Sequence, residues 1–110
     1  PGALYIGSEP HTLAFEWLAG NHPSIARFAG TFPYLQLHNC GIVGGYREVV
    51  SEFLIDFTMV AEASGDDLTE MGAFNLVTHT QWAGHVVTGW PVHTEYKAFD
   101  HNGSAWWRHK

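Results

Sequence analysis

Between residues 46 and 63 the apolar positions Val49, Val50, Phe53, Leu54, Phe57 and Val60 recur at three- and four-residue spacing, which predicts an amphipathic helix packed on a sheet. Each of its large side chains contributes about 1.5–3 kcal/mol when fully buried, so Phe53→Asp is expected to unfold the domain. A second helix is predicted from a cap at Asp67 or Thr69 to about Trp82, with Met71, Phe74 and Val77 inward and Gly84 ending it. Ahead of these, residues 3–6 read as a short strand that turns at Gly7. Ser8 then reads as the cap of a helix with Pro10 in its first turn and Leu13, Trp17 and Leu18 on one stripe. Gly20 and Pro23 close that helix, residues 24–28 add a single turn, and Tyr34 begins a strand that ends at the pair Gly44-Gly45. After Gly84 the pattern changes to period two: residues 85–88 and 92–99 read as strands, and Asn102-Gly103 as the turn of a C-terminal hairpin.

The 110 residues make one domain, near the commonest domain size. At 45% hydrophobic and 15% aromatic residues, with no apolar run of the ~18 residues that a spanning helix needs, the chain reads as soluble and globular, without a signal peptide or membrane span. A net charge of −6 and the scatter of Arg27, Arg47, Lys97, Arg108 and Lys110 exclude a nucleic-acid surface, which needs a clustered basic stripe. Cys40 is the only cysteine, which rules out an internal disulfide and a thiolate zinc cage.

Candidate chemistry gathers at His38-Asn39-Cys40-Gly41-Ile42-Val43-Gly44-Gly45, where an apolar strand carries a polar Asn39 and three glycines. Glycine lets backbone approach a ligand closely, so this segment reads as the floor of a site. It lacks the Gly-Lys-Ser/Thr of a P-loop and the spacing of a dinucleotide fingerprint. Eight histidines invite a metal reading, yet His85, His93, His101 and His109 have unlike neighbours, and no His-Glu-x-x-His is present. With no Gly-x-Ser-x-Gly elbow and no orienting group, Cys40 reads as a buried inert thiol. Asp66, Asp67 and Glu70 open a helix, where carboxylates suit the dipole; a general base is the sharper reading of the same group.

The order of these features is similar to the C-terminal half of GT-A type glycosyltransferases, glycogenin-like and related families. Those carry an Asn-Ala-Gly strand, a helix, an Asp-Gln-x-x-x-Asn or Asp-Met-x-x-Phe-Asn segment and a late metal-ligating His. This chain reads Asn39-Cys40-Gly41, then Glu70-Met71-Gly72-Ala73-Phe74-Asn75, then Trp106-Trp107-Arg108-His109-Lys110. The resemblance implies an α/β fold: a small mixed sheet packed by two main helices, a partial Rossmann-like GT-A domain with a C-terminal hairpin. By position, Glu70 is the catalytic carboxylate beside the transferred sugar, one methylene longer than the family's Asp. Asn39, Gly41, Gly44, Gly45, Met71 and Asn75 line the donor and acceptor sites, Lys110 meets the diphosphate, and His109 ligates Mn²⁺ or Mg²⁺. The implied partners are a nucleotide-sugar, commonly a UDP-sugar, and a sugar or protein acceptor hydroxyl. The family's nucleotide-binding half and its Asp-x-Asp motif do not occur here, so the resemblance implies a piece of an enzyme, and no independent turnover is expected of it. The competing reading is a non-catalytic carbohydrate- or protein-binding module whose surface is built by Trp82, Trp90, Trp106 and Trp107.

Overall fold

The computed structural model describes residues 2–14, 23–63 and 70–88. Trp17, Leu18, the Asp66-Asp67 turn, the strand predicted at 92–99, the hairpin, Trp90, Trp106, Trp107, His109 and Lys110 lie outside them. The described residues form an α/β domain with a mixed three-stranded sheet. Strand β1 (Leu4–Thr12) is central, with β2 (Gln36–Gly44) antiparallel on one side and β3 (Val86–Val87) parallel on the other. Three helices accompany it: α1 (Pro23–Thr31), α2 (Arg47–Ala63) and α3 (Glu70–His79).

β1 corrects the expectation of a turn at Gly7 and a helix from Ser8. Gly7 pairs with Asn39, Ser8 with His38 and Thr12 with Gln36, and Leu13 N continues the contact by donating to Leu35 O at 2.8 Å. The long-range ladder overrides the local Ser-x-Pro signal. Pro10, which has no N–H to give a ladder, falls in the irregular stretch between Ser8 and Thr12. A second irregularity shapes β2. Ile6 pairs with Val43 and the next residue, Gly7, with Asn39, so Cys40, Gly41 and Ile42 have no partners on β1 and form a bulge.

Helix α1 is longer than the single turn expected, running through Gly30 because Ile25 and Ala29 bury against Leu13, Leu37 and Ala73. Pro33 lies past its end. Helix α2 matches its periodicity, with Val49 and Phe53 buried and Val50, Phe57 and Val60 packed on the same core. Leu54 departs from the expectation: one position on from Phe53, it is rotated off the inner face and 49% exposed. Phe53 sits at the centre, edge-on to Phe74 at 5.6 Å and to Trp82 at 5.4 Å.

Helix α3 is enclosed on several sides, burying Gly72, Ala73, Phe74, Asn75, Val77 and Thr78. It stops at His79 rather than near Trp82. Trp82 N donates to Val77 O at 3.0 Å, His85 N to Trp82 O at 2.9 Å and Leu4 N to His85 O at 2.8 Å, so one compact turn hands the chain from α3 to the sheet. Val86 and Val87 then form the strand foreseen at residues 85–88. No helix among the described residues is long and apolar enough to cross a membrane.

Candidate functional site

The β2 bulge is where polar side chains from three elements meet. Asn39 is buried, and its Oδ1 accepts from Gly41 N at 2.8 Å, an Asx-type bond that props the bulge open. Its Nδ2 donates to Glu9 Oε2 at 3.2 Å, which brings in a carboxylate from β1. Cys40 Sγ donates to Glu70 Oε1 at 3.6 Å, bringing in a second carboxylate from the exposed first turn of α3. There Glu70 faces the positive end of the helix dipole. The result is a patch in which Glu9 and Glu70 flank Asn39-Cys40-Gly41.

Burial, and then the neighbouring Glu70 charge, push the Cys40 thiol up to about 11, with a smaller contribution from Glu9. A thiol held protonated is a poor nucleophile, in keeping with the inert role expected of it. The carboxylates of the patch can accept hydrogen bonds from hydroxyl donors.

Other residues singled out in the sequence fall elsewhere. Asn75 is fully buried, its Oδ1 accepting from His38 N at 2.8 Å and its Nδ2 donating to His38 O at 3.0 Å and Met71 O at 2.9 Å. Its amide clamps α3 to β2, whereas the resemblance assigned it to the donor and acceptor sites. Met71 is half-buried, packed on the cluster of Leu13, Ile25 and Leu37. Gly44 and Gly45 follow the bulge. Gly44 pairs with Tyr5, while Gly45 has φ +153° and an added Cβ would lie 3.0 Å from Ala3 O, so its absence of a side chain serves the β1 contact. Gly41 is the exposed glycine of the bulge. Trp82 is 7% exposed and its Nε1 donates to Asp56 Oδ2 at 2.8 Å, so it is core and does not contribute to an aromatic binding surface. A cleft of about 200 Å³ lined by Glu52, Asp56, Gln81, Trp82 and His85 lies between α2 and the turn after α3.

Glu9 escaped the sequence reading because Ser8 and Pro10 pointed to a helix; its signal was strand alternation after the buried Leu4, Ile6 and Ser8. Among the described residues no group of three or more His, Cys, Asp or Glu could hold a metal ion, and His109 and Lys110 lie outside them. The implied Mn²⁺ or Mg²⁺ therefore has no donor set in this part of the chain.

Fold and site together define a small mixed α/β domain with a strand bulge flanked by two carboxylates. No protein-family model, curated protein or solved structure matches the chain.

Proposed function

We propose that this domain is the acceptor-side part of a nucleotide-sugar-dependent glycosyltransferase of GT-A type, with Glu70 and the Asn39–Gly41 bulge facing the transferred sugar. The observation that supports this reading is the meeting of Glu70 with Cys40 at 3.6 Å across 30 residues of chain. The resemblance picks out these two segments separately, and nothing in their spacing requires them to touch. The chemistry is compatible: exposed carboxylates accept from sugar hydroxyls, and one beside a reacting hydroxyl can take its proton, an effect of about 10²–10⁴ in rate. The Asn39 amide braces the bulge through the Gly41 N–H, and Glu70 meets it from α3. Asn39 acts here through the backbone it supports, since both ends of its amide are bonded within the protein.

The test is release of UDP from a panel of UDP-sugars, with sugar and peptide acceptors, by the complete gene product that carries this domain. Glu70→Gln, at an exposed position, is expected to lower the melting temperature only slightly, by the loss of a helix-dipole contact worth about 0.3–1 kcal/mol, and to lower turnover by about 10² or more. Equal turnover in the wild type and the variant would remove Glu70 from the reaction.

A further inference from the structure

The seam between α3 and β2 holds two imidazoles face to face. The rings of His38 and His79 stack with centroids 4.1 Å apart and planes 18° from parallel. His38 is buried; its Nδ1 lies 2.8 Å from the Thr78 hydroxyl, which itself donates to Asn75 O at 3.3 Å, so Nδ1–H is the donor. His79 Nε2 donates to Gln36 O at 2.7 Å, and Phe28 of α1 stacks on the same ring at 6.4 Å.

Among the described residues, the groups that face this pair are neutral side chains. From β1 the strand partner of His38 is Ser8, and the adjacent Glu9 bonds Asn39. From α3 come Asn75, Thr78 and His79 itself, and from α1 comes Phe28. Among the described residues no carboxylate bonds either ring. Protonating both would set like charges about 4 Å apart, one on the buried His38 and one on the half-buried His79.

We propose that the stacked His38–His79 pair is an acid-released latch: protonation of the imidazoles undocks α3 from β2 and carries Glu70 away from Cys40. The undocking stands on the seam alone, whereas its consequence for activity rests on the function proposed for Glu70. Burial, then the neighbouring His79, lowers His38 to about 3, and burial lowers His79. An unfolded imidazole takes its proton near 6.5 and the folded His38 only near 3, so stability is level above 6.5 and falls as the pH drops through that interval.

The experiment is amide hydrogen exchange across α3 on the full chain from pH 7.5 to 5.0, corrected for intrinsic rates, beside an NMR titration of the imidazole carbons. The opening constant of α3 is expected to rise at least about thirtyfold over that range, His38 alone supplying this factor. The His38 ring should stay neutral until α3 opens. His79→Phe keeps a ring in the stack without its charge, and its rise should be smaller. An opening constant that changes less than about threefold overturns the latch. So does a His38 ring that titrates near 6.5 with α3 still protected, or a His79→Phe profile equal to that of the wild type. Cys40 labelling by 4,4′-dithiodipyridine, which reacts in acid, separates the two claims. It should accelerate in step with the opening of α3, and an unchanged rate would break the link to Glu70 while exchange still reports the latch. No sugar transfer is read, so failure of the proposed function would leave these outcomes intact.

Discussion

Asn75→Ala is the sharpest probe of how the site is held. The Asn75 side chain is fully buried and bonds both backbone groups of His38, accepting from its N–H at 2.8 Å and donating to its C=O at 3.0 Å. Alanine leaves both groups without their partner in a place water cannot easily reach. Each such loss costs about 1–3 kcal/mol, so the sum is roughly 2–5 kcal/mol once partial relaxation is allowed. Against the ~5–15 kcal/mol of a typical domain, that brings the protein close to unfolding at room temperature. The assay is urea unfolding at pH 7.5 with a common m value. Thr80→Ala serves as the control: its exposed hydroxyl donates to Leu76 O at 2.6 Å, and its loss should stay within about 0.5 kcal/mol. A destabilisation of Asn75→Ala below about 1 kcal/mol would refute the clamp.

Three further outcomes are expected. Phe53→Ala, which empties the centre of the aromatic core, should cost about 3–5 kcal/mol in a calorimetric melt. Gly45→Ala, with φ +153° and a Cβ 3.0 Å from Ala3 O, should cost about 1–3 kcal/mol, whereas Gly44→Ala, with nothing within 4 Å, should be far milder; equal costs would discount the close approach. Glu70→Gln should let Cys40 titrate below about 11, moving the pH profile of iodoacetamide labelling to lower pH; an unmoved profile would mean that burial alone sets the thiol.

The parts of the fold legible in the sequence are those whose signal is local and periodic. Helix α2 reads directly from Val49, Phe53, Phe57 and Val60, and β2 ends at Gly44 as its glycine pair announces. β1 was not legible past Ile6, because Gly7 signals a turn and Ser8 and Pro10 a helix start, while the ladder that overrides them comes from Gln36, His38 and Asn39. Helix α1 extends through Gly30 for a similar reason: Ile25 and Ala29 pack on Ala73, far along the chain. At the site, Asn39-Cys40-Gly41 and Glu70 could be picked as residue types, but the bulge that presents them arises from a register shift against Ile6 and Gly7. The clamp made by Asn75 was not legible, since a polar residue in a segment that resembles a sugar-binding one suggests a ligand contact. Its apolar and small neighbours on α3, Ala73, Phe74 and Val77, already pointed to a buried position.

The most direct test of the account is an amide shift map of the ¹⁵N-labelled 110-residue chain titrated with candidate acceptor sugars. The account predicts shifts at Asn39, Cys40, Gly41, Glu70 and Met71, leaving Glu52, Asp56, Gln81 and His85 unmoved. Shifts centred on the cleft beside Trp82, or a bulge that no sugar perturbs, would contradict it.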